Sequence, residues 1–482
     1  MEHALRLRPE LSAVRREDAV VTRRPRPLRT PRPDQEGTPR PAASLLQRAR
    51  RKAVGDGRLL RQVLTVLSGT TMAQLITIVG MIPLARLYSP TDFGLFAIAQ
   101  SIVLAGTMVA ALRYDIAIVL PESQSAARTV HRLASRIILV TCVVLAVILL
   151  LAHRLVSEHY ENPSFGIWLT VTALIVYAMA QIMNTQGWLI RMKQFGLIAQ
   201  NRMLAAALML TAQLVCAPLV GGFEGLLIGM LVGQVVTLII LNRRVPELRT
   251  SLPVDAPAIR EMAVRYKKMP LLNAPNVLVD AVRDAGINIL IGNIALGGLG
   301  QYSLANKATN APVYLIRGAI AQVFLPLMAR ARPGELTPLV KRLLIRLGFV
   351  ATPVFLVFYW LAPWLFPVLL GDQWGQAGLI AQALMPWLFM NTFTSPLANV
   401  YVTTERQGWL FGFAVVYAAA PLIFLTTSTL PLLPRVQVMA WIMAAALMCM
   451  LVMTLAITRQ FDRRVQPAEV ASDVARPTKE HP

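Results

Sequence analysis

Three ionisable residues interrupt one apolar run of this chain: Asp280, Arg283 and Asp284. Their i, i+3 and i+4 spacing gathers them on one face of a helix. The next apolar run holds Lys307 and Arg317, neither with an acid at helical spacing. Two chemistries suit the set. One is an ion-pair network that only fixes helix packing. The other is a cationic site for phosphate, in which arginine offers a fork of donors and lysine a point charge. The five residues sum to +1, and to +2 if one aspartate is protonated. Arg283 fits either reading, because both aspartates stand beside it. Lys307 and Arg317 fit the phosphate site better. Asp280 and Asp284 are also the candidates to carry a proton, being the only acids near the middle of an apolar run.

Helices must position these groups. The chain has 482 residues, 55% from the hydrophobic set and only 15% charged. Soluble proteins carry about 25% charged residues. A soluble globule is therefore excluded, and disorder is excluded for most of the chain by its apolar content. A helix crosses the hydrocarbon with roughly 20 apolar residues. Twelve such runs occur, near 62–86, 92–113, 130–152, 166–188, 197–218, 223–242, 271–294, 301–327, 342–367, 376–402, 409–430 and 437–458. The fold class expected is an all-α polytopic membrane protein. Asp280 to Asp284 then lie about 15–21 Å past one end of the seventh span. A charge at that depth costs a few kcal/mol and faces a cavity, not lipid.

Orientation follows from the basic residues between spans. With the N-terminus inside, inner loops hold Arg128, Arg132 and Arg136, then Arg191 and Lys193, then a dense group from Arg243 to Lys268, then Arg330 to Arg346, and Arg406. Outer segments hold only Arg154 and Arg435, with Arg86 at a helix end. The positive-inside rule then places both termini in the cytoplasm. Residues 1–61 carry 16 basic and 7 acidic side chains and no apolar h-region, which reads as a basic disordered cytoplasmic tail and not a signal peptide. The expected organisation is this tail, a six-helix bundle over 62–243, a cytoplasmic linker over 244–270, a second bundle over 271–459 and a tail over 460–482. The net charge of +22 punctuates apolar runs, so it suits an anionic leaflet and not nucleic acid.

The remaining residues point to packing. Cys142, Cys216 and Cys449 fall in apolar runs without metal or redox spacing, and the five histidines form no ligand pair. No metal or cofactor is implied. Gly225, Gly229 and Gly233 allow close helix approach. Trp168, Trp188, Trp364 and Trp409 read as an interfacial belt, and Trp387 as core.

An internal echo relates the halves. Phe93-Gly94-Leu95-Phe96-Ala97-Ile98-Ala99-Gln100 matches Leu299-Gly300-Gln301-Tyr302-Ser303-Leu304-Ala305-Asn306 at an offset of 206. Each stretch opens the second helix of a six-span half. Six is even, so both halves enter the membrane the same way. Two such bundles with a cavity between them are a transporter design.

Three motifs carry a resemblance. They are Leu87-Tyr88-Ser89-Pro90-Thr91-Asp92-Phe93-Gly94-Leu95-Phe96, Leu112-Arg113-Tyr114-Asp115-Ile116-Ala117-Ile118-Val119-Leu120-Pro121, and Gly371-Asp372-Gln373-Trp374-Gly375-Gln376-Ala377-Gly378. With them the chain resembles the polysaccharide-export family of oligosaccharide flippases (Wzx-like), in the superfamily that includes multidrug MATE exporters. The resemblance covers roughly 60–460. It implies a MATE-like fold of twelve helices in two pseudo-symmetric six-helix bundles, in the bacterial inner membrane. It implies a lipid-linked oligosaccharide as substrate, its diphosphate passing a cationic lumen while the polyprenyl tail stays in lipid. A polysaccharide polymerase and a chain-length regulator are candidate partners. Arg283, Lys307 and Arg317 are then candidate phosphate ligands. Arg113 either meets the diphosphate at the inner mouth or marks the interface. The first motif also has a plain local reading: Ser89 caps a helix, Pro90 suits its first position and Asp92 completes a capping box.

Two other functions compete. A MATE-like exporter of cationic drugs wants acids in the N-terminal bundle, and spans one, three, four and five have none at depth. A membrane glycan polymerase or ligase carries a large outer catalytic loop, whereas the longest outer segment expected is His153 to Phe165. The chain is thus not read as an enzyme.

Overall fold

The computed structural model describes residues 68–248, 256–310, 313, 334–404 and 406–463. All belong to one compact unit, Gly57–Pro482. The expected tails fall almost wholly outside the described residues, as does Arg317. Among the described residues every regular element is helical.

The first group of helices is α1 (Ser68–Leu87), α2 (Pro90–Ala110), α4 (Gln124–His159), α5 (Phe165–Arg191), α6 (Phe195–Leu219) and α7 (Gly222–Arg244), with a four-residue α3 (Tyr114–Ala117) after α2. The second is α9 (Ala274–Ile294), α10 (296–310), α11 (Leu336–Leu370), α12 (Gly375–Thr394), α13 (Ala398–Thr403), α14 (Gln407–Thr427) and α15 (Leu432–Arg463). Nine helices among the described residues are long and apolar enough to span a membrane. They are α1, α2, α4, α5, α6, α7, α11, α14 and α15. The protein is a multi-pass membrane protein. The long helix α9 falls outside that set because it carries the three charges.

Local physics explains the ends. Ser89 Oγ accepts from Asp92 N, and Asp92 Oδ2 accepts from Ser89 N at 3.0 Å, so α2 starts with a capping box and Pro90 in its first turn. Ser123 caps α4 more simply, its Oγ accepting from Ala126 N at 3.2 Å with no return bond. Gly229 and Gly233 let α7 lie against the backbone of Gln213 and Met209 on α6. No side chain would fit there.

Several expectations shift. Helix α4 runs to His159, well past the expected 152: the apolar run ends there, but the helix continues through the polar His153, Arg154, Ser157 and Glu158 to the turn at 160–164. The outer segment is therefore a short turn. The expected tenth span is interrupted by a 3-10 turn, Ser395–Leu397, where Pro396 removes an amide donor. Trp188 is not interfacial. It is 1% exposed and lies under the guanidinium of Arg128, 5.7 Å from its ring centre. Trp364 and Trp409 are exposed as an interfacial belt requires.

The linker also folds. Helix α8 (Ala256–Arg265) buries Ile259 and Met262 in a small core with Tyr114, Val130 and Trp188. Tyr114 Oη donates to Ala263 O at 3.0 Å. The i, i+3 pair makes one apolar side, and Arg260, Arg265, Lys267 and Lys268 remain exposed.

Arg191 shows what an inner-loop arginine does beyond charge. At the end of α5 its guanidinium donates to the carbonyls of Val119, Pro121, Glu122 and Ser123 at 2.5–3.3 Å. Arg191→Ala leaves these acceptors unfilled. A loss of about 1–3 kcal/mol in stability is expected, read as a lower thermal midpoint of the purified protein. Arg191→Lys should recover only a small part, since one ammonium cannot span the set.

Candidate functional site

The end of the bundle that bears the α1–α2 turn is termed the outer end, after the loop-charge asymmetry. The candidate site lies where α2, α9 and α10 meet between the two helix groups.

Helix α9 begins after a π-helical turn, Met269–Asn273. Seven to eleven residues on, Arg283 is held by both neighbours. Its Nη1 donates to Asp280 Oδ1 at 2.9 Å and its Nε to Asp284 Oδ1 at 2.9 Å. The guanidinium sits 4.9 Å over the ring of Tyr417 on α14, whose hydroxyl accepts from Trp387 Nε1 at 2.7 Å. Only 13% of the Arg283 side chain is exposed, against 56% for Asp280 and 65% for Asp284. The arginine is turned into its own helix group, and the carboxylates form the open face. The triad sums to −1 with both acids ionised. A phosphate reaching Arg283 must therefore displace or meet a neutralised carboxylate.

Lys307 on α10 is different. Its Nζ lies 5.1 Å from the ring centre of Phe96 on α2, in the other group. No hydrogen bond or ion pair holds it among the described residues. A nearby bond also crosses between the groups: Asn288 Nδ2 donates to Ser101 Oγ at 2.7 Å. Ser101 and Lys307 are equivalent under the 206-residue offset. Below this level α9 is uncovered, with Leu278 and Val282 exposed beside the two aspartates.

Arg113 stands at the inner end of α2. Leu112 (φ 45°) and Arg113 (φ 64°) are both left-handed without being glycine, a strained conformation that surrounding structure must impose. The cause is visible in part: Asp115 O packs on Gly187 of α5, where a side chain would collide. The Nε of Arg113 is buried with no hydrogen-bond partner among the described residues. Burial raises the proton affinity of the Asp115 carboxyl and Arg113 opposes it.

The outer end is sealed by residues that local reading took for turn formers. Gly94 of α2 packs on Leu296 O, and Gly300 of α10 packs on Pro90 O. The four positions pair at an offset of 206, so the contact is reciprocal. Phe93 meets Trp374 edge-on, ring centres 5.2 Å apart. Gln373 Nε2 and Trp374 Nε1 both donate to Ala85 O at 2.7 Å. Arg86 Nη2 donates to Leu369 O at 3.2 Å. Gln301 Nε2 donates to Gln373 O and Gln301 Oε1 accepts from Ala377 N. The first and third sequence motifs thus meet across the interface. Paired glycines in the echo are the one signal that announced such closeness.

Comparison with known proteins places this geometry. A family model described as polysaccharide biosynthesis protein matches residues 83–378. The chain belongs to the polysaccharide biosynthesis protein family. The match contains both outer-end motifs and every candidate site residue. No curated protein matches the chain in sequence. Solved structures share the fold of this polysaccharide biosynthesis protein at low identity. One is "Lipid II flippase MurJ, inward closed conformation", 10% identical, covering 86% of this chain and 94% of that one at TM-score 0.67. Another is an inward-facing MATE transporter of the MOP superfamily, 14% identical, covering 83% and 96% at TM-score 0.57. A third is a MOP superfamily transporter from Pyrococcus furiosus, 10% identical, covering 84% and 96% at TM-score 0.53. The expected MATE-like arrangement of twelve helices in two six-helix lobes is the fold these structures share with the chain.

Proposed function

We propose that this polysaccharide biosynthesis protein is a flippase. It moves a polyprenyl-diphosphate-linked oligosaccharide repeat unit across the bacterial inner membrane for cell-surface polysaccharide assembly (O-antigen, capsule or exopolysaccharide). The lobes, 62–243 and 271–459, alternate access to the space between them, and both termini are cytoplasmic. The observation that carries the reading is Lys307, an ammonium held between the lobes over an aromatic ring, with no acid to neutralise it among the described residues. A diphosphate supplies the missing charge. Arg113 receives the head group at the inner mouth, and Arg317 and Arg283 follow. A polysaccharide polymerase and a chain-length regulator act next.

The test is deletion of the gene followed by analysis of lipid-linked glycans. Complete repeat units should accumulate on the cytoplasmic leaflet. The acidic open face of the α9 triad favours a second reading, export of a cationic drug. Unchanged glycans with altered drug sensitivity would select it. Topology is checked with reporter fusions: those after Gly222 and Gly297 should read periplasmic, and one after Val254 cytoplasmic.

Coupling follows from the triad. Arg283 cannot bind phosphate while both carboxylates hold it. Protonation of Asp280 or Asp284 frees guanidinium donors for the diphosphate, and loss of the proton returns them. Asp280→Asn and Asp284→Asn should flatten the dependence of vesicle transport on the pH gradient. If both variants keep the parent rate and the parent dependence, the acids serve packing. The membrane potential, worth about 2.3 kcal/mol per charge per 100 mV, then drives the substrate.

A further inference from the structure

The first and third motifs are neighbours at the outer end. Their hydrogen bonds say more. In a helix, Ala85 O would accept from Ser89 N four residues on. That donor is taken: Ser89 N bonds Asp92 Oδ2 in the capping box of α2. The capping box therefore leaves Ala85 O without its helical partner. Gln373 Nε2 and Trp374 Nε1, from the α11–α12 turn of the other lobe, fill it. The exchange runs both ways, since Arg86 donates to Leu369 O near the end of α11. Each lobe thus caps the last turn of a helix in the other. Trp374 is fully buried against Phe93, and Gln301 fixes the turn that presents it.

We propose that these two motifs form a releasable latch on the outer gate, in which the Ser89–Asp92 capping box prepares an empty acceptor, Ala85 O, for the Gln373 and Trp374 donors of the opposite lobe. The design suits repeated opening. A helix-end carbonyl near the membrane surface, once the lobes part, exchanges a protein donor for water at little net cost. A purely apolar seal of the same residues would resist wetting far more. The reciprocal Gly94 and Gly300 contacts bring the backbones close enough for the donors to reach. The latch rests on the alternating-access reading for its purpose alone. Its test reads gate opening and not glycan transport, so the two can fail separately.

The probe is a single cysteine at Ser101→Cys, with Cys142, Cys216 and Cys449 replaced by alanine. Ser101 is buried between the lobes beneath the seal. The protein is placed in lipid nanodiscs, so both faces meet a water-soluble maleimide. Labelling should be slow in this parent. Gln373→Ala and Trp374→Phe each remove one donor, and each should speed labelling about fivefold. Gln373→Ala guards against a packing defect, because it leaves the Phe93–Trp374 contact in place. A Thr91→Cys and Gly297→Cys disulfide then closes the gate covalently. The built Cβ at Gly297 stands 3.7 Å from Thr91 Oγ1, within reach of a disulfide. With both of its thiols consumed in the bridge, it should return labelling at position 101 in both variants to the parent rate. Unchanged labelling in both variants overturns the latch. Faster labelling that persists with the disulfide closed also overturns it, since that reports local loosening and not gate opening.

Discussion

Glycan export should fall at least tenfold in Lys307→Ala and cease in Lys307→Glu, with protein level unchanged. The Lys307 ammonium has no acid or acceptor among the described residues, and lies over Phe96 of the opposite lobe. Removing it leaves no unpaired partner behind, so the fold loses little. Under the proposed function, what is lost is a charge-assisted contact to phosphate, of about 1.5–3 kcal/mol, or roughly ten- to hundredfold in binding. Glutamate places a like charge against the diphosphate. Lys307→Arg keeps the charge and should be much milder than either. Export is measured by surface polysaccharide in a complemented deletion strain at low expression, against immunoblot of the membrane fraction. Normal export by Lys307→Ala would make the residue structural and remove the main support for a phosphate-binding interface.

Valine at Gly300 or Gly94 should be nearly as damaging for another reason. A Cβ at either position meets a backbone carbonyl of the opposite helix, Pro90 O or Leu296 O. Backbone cannot rotate away as a side chain would. The α2–α10 crossing must widen, and the bonds to Ala85 O would be stretched. Overpacking of this kind costs about 1–3 kcal/mol. Because the clash lies between lobes, each lobe should still fold while the closed state is lost. The expected result is protein of near-normal abundance, export down at least tenfold, and a lower thermal midpoint. Gly412→Ala is the control, because nothing stands within 4 Å of its added Cβ. If Gly300→Val and Gly94→Val export like the parent, the reciprocal crossing does not govern closure.

Much of the site is legible in the sequence, and the part that is not has a common cause. The charges of α9 were found because an ionisable residue in an apolar run is conspicuous. Their pairing was found because i, i+3 and i+4 neighbours on a helix are fixed by its pitch. The direction Arg283 points was not legible. It depends on Tyr417, 134 residues away on α14, and no local rule couples the two. Trp188 was misplaced for the same reason: near a span end, a belt tryptophan and a buried one have the same flanking residues.

Sequence alone determined what water, lipid and the helix impose on a short stretch of chain. Those are the spans, the loop charges, the capping box at Ser89, and the repeat that pairs Gly94 with Gly300. Each depends on neighbours within a few residues or on composition, so each survives in one dimension. Only the tertiary structure decided which ends meet. It brought Ala85 and Trp374 together across 289 positions, laid α8 on Tyr114, and set Lys307 over Phe96. These contacts depend on how two lobes dock, and docking is set by the sum of many weak packing terms spread over the chain. The cap at Ser89 is local, but the donors that meet Ala85 O lie in the other lobe and are fixed only when the lobes dock.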